Sequence, residues 1–399
     1  MNEKTKVDSN KKIFVRNMLS PRTMLNRLKK LIKEDFGLVY MTIGGVGANF
    51  LSAFFWLILA SMLNVDNYGQ INYYIAIANI AAGFGALGLN TTIATFLPKG
   101  KEKILHEANS ITLISGLISA LVLSYIHWVS GILAASLIFF TMAVSELLGR
   151  KKYREYAFVT IGQRLTQILL GLVLYYQFGI IGLLSGYFLG AIIFSYKYFL
   201  SLKKFTTKIT NLKQKSKFIL HNYGYTLIGE NLPNSLDKVL IGAIFGYFAL
   251  GLYQLGFQFF MFLNIIPSIL QQYLLPEESS GKDKKQIKTI SLILAIGFSL
   301  AMFIFSPYVI ETFFPRFTEA ILIIRIMSIA VIPSTVVAII TPGLLCKERS
   351  KTVLLSGIIF LSSLVIFLII LGITLGVPGL ALAILLSKTM QATYLYTQK

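Results

Sequence analysis

The sequence predicts an all-α, polytopic membrane protein of about twelve transmembrane helices, and three observations carry that prediction. Of its 399 residues, 55% are hydrophobic and 14% are charged, with a mean hydropathy of +0.70. A soluble chain of this length covers its surface with far more charge. The apolar residues also fall in runs long enough to cross a hydrocarbon core of about 30 Å, which takes roughly 20 helical residues. Finally, most Lys and Arg fall in the chain ends and in alternate connectors between those runs.

The first six runs are 37–63, 71–97, 110–126, 129–148, 156–176 and 179–200. The second six are 218–245, 248–271, 289–309, 317–345, 352–375 and 377–394. Each is expected to be helical, because lipid forces every backbone polar group to find its partner within the segment. Of the 37 Lys and Arg, 32 lie in the two chain ends and one set of connectors. One, Arg316, lies on the opposite side, and Arg164, Lys238, Arg325 and Lys388 lie inside runs. That asymmetry predicts an even number of crossings with both termini in the cytoplasm of a cell-membrane protein.

The same distribution explains the net charge of +20 as an orientation signal, so no nucleic-acid partner is called for. A single cysteine, Cys346, excludes an internal disulfide framework. No cleavable signal is expected, since the first run can serve as an uncleaved anchor. Before it, Leu25, Leu28, Leu31 and Ile32 recur at helical spacing among Arg22, Arg27, Lys29, Lys30 and Lys33. This basic tail, 1–36, reads either as an interfacial helix on anionic membrane lipid or as a tail that only enforces orientation.

Twelve runs divide at the basic linker 201–217 into bundles 37–200 and 218–399. Weak echoes relate the halves. Tyr68-Gly69 opens the second run, and Leu250-Gly251 with Tyr253 opens the eighth. Gly179-Ile180-Ile181-Gly182 starts the sixth, and Gly376-Val377-Pro378-Gly379 starts the twelfth. Six crossings per half give both halves one orientation, hence two six-helix bundles with pseudo-two-fold symmetry about the membrane normal.

The seventh run is the most polar. Tyr223, Glu230, Asn234 and Asp237, at offsets of seven, four and three, fall on one helical face. Asn231 and Lys238 adjoin it, and Pro233 offers a kink. Such a helix is expected to line a wet cavity. Asn49, Asn72, Asn79, Asn90, Gln163, Gln254 and Gln258 add weaker polarity, which serves either a ligand's hydroxyls or helix association. Glu146 lies four residues before Arg150 and reads as a helix-end pair.

Leu59-Ala60-Ser61-Met62-Leu63, Asp66-Asn67-Tyr68-Gly69 and Leu87-Gly88-Leu89-Asn90 form one set of motifs. Asp237-Lys238-Val239-Leu240-Ile241-Gly242, Phe245-Gly246 and Leu250-Gly251-Leu252-Tyr253 form another. Together with the span pattern, these resemble the polysaccharide-biosynthesis flippases, which move lipid-linked oligosaccharides of the O-antigen type. Those flippases belong to the multidrug/oligosaccharidyl-lipid/polysaccharide exporter superfamily. Where members often carry an arginine near the end of the first span, this chain has Ser61, so no site is built there.

The resemblance implies a non-enzymatic transporter for a polyprenyl-pyrophosphate-linked glycan, with membrane lipids and glycan-assembly enzymes as partners. Lys238, Arg325, Lys388 and Arg164 would then counter substrate phosphate. Glu230, Asn234 and Asp237 would bind a coupling Na+ or H+, and no other cofactor or metal is called for. The bland alternative is that these groups satisfy neighbours, for example in an Asp237–Arg325 pair. A cation-coupled multidrug exporter of the same superfamily is the runner-up, though its cationic load suits a more acidic cavity. A glycan polymerase or glycosyltransferase is remote: the outward connectors are short, there is no Asp-x-Asp pair, and His106, His127 and His221 are scattered.

Overall fold

The computed structural model describes residues 36–279 and 284–398, so the tail helix considered for residues 14–33 lies outside the described residues. In chain order the helices are α1 (Phe36–Met62), α2 (Val65–Ala86), α3 (Leu89–Phe96), α4 (Glu102–Ser124), α5 (Trp128–Gly149) and α6 (Tyr153–Ile193). Then come α7 (Tyr196–Ser201), α8 (Thr210–Lys213), α9 (Ser216–Thr226), a π-helical turn (Leu227–Asn231), α10 (Leu232–Ile244) and α11 (Gly246–Leu263). The last are α12 (Ile265–Ser279), α13 (Lys285–Phe313), α14 (Ala320–Ile329), α15 (Val331–Cys346), α16 (Ser350–Leu375) and α17 (Val377–Thr397). Among the described residues there is no strand. This is the all-helical, multi-pass architecture that lipid demands.

Among the described residues eight helical stretches are long and apolar enough to cross a membrane, or nine when α2 and the α3 segment, bent by 52°, count as one span. Twelve apolar runs are expected, and the difference has visible causes. One is α6, whose 41 residues would measure about 60 Å as a straight rod, twice the hydrocarbon thickness. It is not straight. Gly179 adopts φ 58°, ψ −137°, and a Cβ on Gly182 or Gly186 would strike the backbone of Leu174 or Gly171. Residues fifteen apart touch only if the limbs fold back as a hairpin. The others are α9–α10 and α17, which hold the candidate site's polar residues and fall below that apolarity.

The same turn recurs. Gly376 adopts φ 66°, ψ −144° between α16 and α17, and a Cβ on Gly379 would strike the Leu371 carbonyl. Both breaks use a backbone region closed to residues with a Cβ. The glycine echoes in the sequence therefore mark one local structure built twice.

A second repeated pair forms the seam. Helices α2 and α11 cross so closely that a Cβ on Gly69 would overlap the Tyr247 carbonyl, and one on Gly251 would overlap the Val65 carbonyl. Each glycine thus sits against the residue four places before its counterpart, as a local two-fold axis requires. Lipid supplies no hydrophobic drive between helices, so small residues that let backbones meet are what hold such a crossing.

The core is arranged unequally along the membrane. Near the seam, one continuous apolar cluster joins Phe55, Leu59 and Tyr68 to Ile241, Tyr253, Phe317 and Ile384. Near the basic connectors there are two separate clusters. One holds Leu89, Ile93, Phe96, Leu105 and Tyr198 with Leu212 of the linker, and the other holds Ile340, Leu344 and Leu395. The two parts of the chain share a continuous core at one end; at the other, the start of α9 (Phe218, Ile219) packs on the first cluster and the second cluster stays apart.

At the shared end Arg316, the lone basic residue of its side, donates from Nη1 to the Met62 carbonyl at 2.8 Å. It thereby satisfies one of the orphan carbonyls at the end of α1. Tyr68 meets Trp56 and Phe317 edge-on at centroid distances of 5.9 and 5.6 Å. At the basic end, Arg150 takes Glu146 at 2.8 Å, the expected helix-end pair, and also grips Glu102 through two bonds at 2.7 and 2.9 Å.

Gly69→Ala and Gly251→Ala should each lower the melting temperature of the detergent-purified protein, since overpacking against backbone costs roughly 1–3 kcal/mol. Gly357→Ala, whose Cβ meets nothing within 4 Å, should be neutral or slightly stabilising. Equal melting temperatures for all three would show that the crossing is loosely packed.

Candidate functional site

The polar helix of the sequence is α9, the π turn and α10 in succession. Pro233 has no N–H to offer the Gly229 carbonyl, and its ring crowds that turn. The preceding turn widens, with the Leu232 N–H reaching the Leu227 carbonyl five residues back. Asn231 adds a side-chain bond to the Thr226 carbonyl at 3.3 Å. Such single π turns often sit at functional positions.

The insertion rotates the two limbs relative to one another, so the single polar face predicted for a regular helix does not persist. Tyr223 points to α2, donating to the Phe84 carbonyl at 3.4 Å, and Asn231 lies against Gly83. Asn234 is exposed while Asp237 is buried. The Glu230 side chain lies outside the described residues. No residue of α9 is buried, and a Cβ on Gly224 or Gly229 meets nothing within 4 Å. One flank of this limb is packed on α2 and α3, and the other is open.

Asp237 and Lys238 satisfy each other. Lys238 Nζ lies 3.2 and 3.3 Å from the Asp237 oxygens and donates to the Asn234 carbonyl at 2.8 Å. Tyr253 of α11 donates its hydroxyl to Asp237 Oδ2 at 2.6 Å, and the ammonium sits 3.9 Å over the Phe257 ring. Asp237 is 1% exposed and Lys238 7%. Consecutive residues do not ordinarily face each other on a helix; this pair meets because the lysine folds back along its own turn. The Asp237–Arg325 pair considered from sequence does not form.

Arg325 serves a different need. Pro307 interrupts α13 and leaves the Phe303 carbonyl without its helical donor. Arg325 Nε donates to that oxygen at 3.1 Å, with its guanidinium 5.3 Å from the Phe303 ring.

Arg164 and Lys388 hold only amides and rings. Arg164 Nη1 donates to Gln167 Oε1 at 2.9 Å, and Gln167 in turn donates to the Tyr187 carbonyl at 3.3 Å. Lys388 Nζ lies 3.3 Å from Gln391 Oε1 and 3.7 Å over the Phe360 ring. Among the described residues, no carboxylate pairs with Arg164, Arg325 or Lys388, and no hydrogen bond joins them to one another. The sequence predicted all four cations but not Tyr253, Gln167 or Phe360. Tyr253 stood in a quoted motif without a role, and Phe360 is one of 30 phenylalanines with nothing local to distinguish it. Nor do the described residues contain a cluster of three or more metal-ligating side chains.

A family model described as "Polysaccharide biosynthesis protein" matches residues 58–290. The chain belongs to that family. No curated protein sequence matches it. Solved structures similar to this polysaccharide biosynthesis protein include the lipid II flippase MurJ in an inward closed conformation. That match has a TM-score of 0.69 and 16% identity, covering 90% of this chain and 87% of that one. An inward-facing multidrug resistance MATE transporter of the MOP superfamily is similar at TM-score 0.68 and 15% identity, covering 90% and 93%. An outward-facing MATE transporter is similar at TM-score 0.56 and 16% identity, covering 90% and 92%. The fold is therefore that of MOP superfamily transporters and flippases.

Removing one partner of the buried pair, by Asp237→Asn or Lys238→Met, should destabilise the detergent-purified protein by about 3–5 kcal/mol. The double variant should recover most of that loss. A double-mutant cycle on chemical unfolding reads it, and additive losses would mean the two charges are not coupled.

Proposed function

We propose that this protein is a flippase that carries a polyprenyl-pyrophosphate-linked oligosaccharide across the cytoplasmic membrane by alternating access, for cell-surface polysaccharide biosynthesis. The observation that carries the reading is the unequal core: continuous at the seam end and divided at the basic end, in a polysaccharide biosynthesis protein. With the basic end cytoplasmic, this is an inward-facing arrangement. The higher similarity to inward-facing than to outward-facing MATE agrees with it.

In this reading the chain crosses twelve times with both termini in the cytoplasm. Bundles 37–200 and 218–399 are joined by the linker 201–217, and they rock against one another. Arg164 and Lys388, with no acid partner among the described residues, meet the pyrophosphate. An ionised side chain held in a span without an opposite charge is costly, roughly 2.5–3.5 kcal/mol on insertion scales, and an anionic load offsets that cost. Lys238 is already neutralised by Asp237, so this pair serves to brace α10 against α11. Arg325 maintains the α13 kink, and Glu230 is the acid of the seventh span left for a coupling Na+ or H+. A multidrug exporter shares the fold; the family and the unpaired cations favour the glycan.

Arg164→Gln and Lys388→Gln should each slow reorientation of lipid-linked glycan in liposomes by about tenfold or more, the scale of losing a hydrogen bond to a charged group, roughly 1.5–3 kcal/mol. Membrane abundance should hold. Arg325→Gln should instead lower abundance. Unchanged glycan transport in both site variants, or export of small organic cations in its place, would overturn the assignment. Epitope tags at the two chain ends should be accessible from the same, cytoplasmic face, and opposite faces would overturn the topology.

A further inference from the structure

Outside the candidate site, three ammonium groups converge on one ring. Lys99 and Lys101 Nζ each lie 5.3 Å from the Phe96 centroid, and Lys215 Nζ lies 5.5 Å from it. A ring has two faces, so at least two of these charges share a side. All three lie within about a Debye length of one another, where solvent ions screen poorly. No acid relieves the repulsion: among the described residues none of the three forms an ion pair. Glu102, the adjacent carboxylate, is committed to Arg150 through both oxygens.

The arrangement is built rather than incidental. Lys99 and Lys101 come from the turn after α3, and Lys215 comes from the far end of the linker. The buried Glu107 of α4 fixes that linker, accepting from the backbone N–H of Asn211 at 3.2 Å and of Leu212 at 2.9 Å. Phe96 is itself held edge-on by Phe218, at 5.0 Å. The linker that delivers Lys215 also exposes Phe205 and Ile209, 49% and 48% accessible, and Leu220 beyond it is 72% accessible. Exposed apolar residues among lysines at the end of membrane helices match the boundary between headgroups and acyl chains.

We propose that Lys99, Lys101 and Lys215 form a binding site for the phosphate headgroup of an anionic phospholipid. The three ammonium groups neutralise the phosphate, and Phe205, Ile209 and Leu220 meet its acyl region. Lys215 leads into α9, which packs on α3 through Phe218 and Phe96, so a bound lipid reinforces that contact between the bundles at the basic end. This is independent of what the protein transports, so its failure would leave the flippase reading standing.

The test uses the full-length protein in nanodiscs of phosphatidylcholine with graded phosphatidylglycerol, with retained lipid counted by native mass spectrometry. Wild type should retain phosphatidylglycerol in preference to phosphatidylcholine. The Lys99→Gln/Lys101→Gln/Lys215→Gln variant should lose that preference by about tenfold or more. A control carrying Lys203→Gln, Lys204→Gln and Lys208→Gln, with the same charge change on the same linker, should retain it. Equal losses in both variants, or none in either, would overturn the site. Displacement of the lipid by millimolar inorganic phosphate would show a free-phosphate site and overturn the lipid assignment. If the glutamine variant fails to fold, Lys215→Gln alone and the triple Lys→Arg variant replace it, with partial loss expected from the first and full retention from the second.

Discussion

The close crossing of α2 and α11 is the constraint on which the rest of the structure depends. Between helices in lipid, contact depends on shape, because the surrounding chains are as apolar as leucine. Gly69 and Gly251 allow two backbones to touch where any Cβ would separate them. That approach brings Tyr68, Tyr253 and Phe317 into one cluster and seals one end of the molecule. At the other end Gly88 lets the turn before α3 approach the backbone of α9 at Tyr223, but the two clusters there remain separate.

The charges follow from the same economy of contact. A buried carboxylate beside the seam needs a cation and a donor, and Lys238 and Tyr253 supply them. Because the tyrosine belongs to α11 and the acid to α10, the pair also fastens α10 to the crossing. Arg316 and Arg325 satisfy backbone carbonyls that a helix end and a proline leave open. What then distinguishes Arg164 and Lys388 is that, among the described residues, their polar partners are glutamines and a ring rather than an acid or an open backbone carbonyl.

Much of the fold was legible because the bilayer imposes rules that act locally. Runs of about 20 apolar residues located the helices, though bounds such as the start of α4, Glu102 where the run begins at 110, differ by as much as eight positions. The glycine echoes at 179–182 and 376–379 coincide with turns of the same backbone conformation. The site was less legible. Its seven candidate residues were found by their cost in lipid, but their partners depend on how long side chains bend and on which helix lies opposite. Lys238 reaches back along its own turn to an adjacent residue, a geometry that helical periodicity argues against. Arg325 answers a proline eighteen residues earlier, which becomes visible only when α13 and α14 are side by side. The π turn was signalled by Pro233, yet its effect, rotating Tyr223 and Asp237 onto different neighbours, needs the insertion itself to be seen.

In the proposed cycle the sealed end has to block passage and yet be able to open. Across the two halves its ring contacts include Tyr68 edge-on to Phe317 and Tyr73 and Tyr74 against Tyr247, worth roughly 0.5–1.5 kcal/mol each beyond their burial. One guanidinium–carbonyl bond from Arg316 adds about 1.5–3 kcal/mol. Together these amount to a few kcal/mol, the range in which a ligand that prefers one state can shift a two-state equilibrium. Separating the α2–α11 backbones would also expose glycine surface along both helices with nothing of similar shape to replace it. In the proposed alternating cycle, therefore, opening this end must part the glycine crossing, one residue from Tyr68, along with the ring and arginine contacts, and the load has to offset that cost.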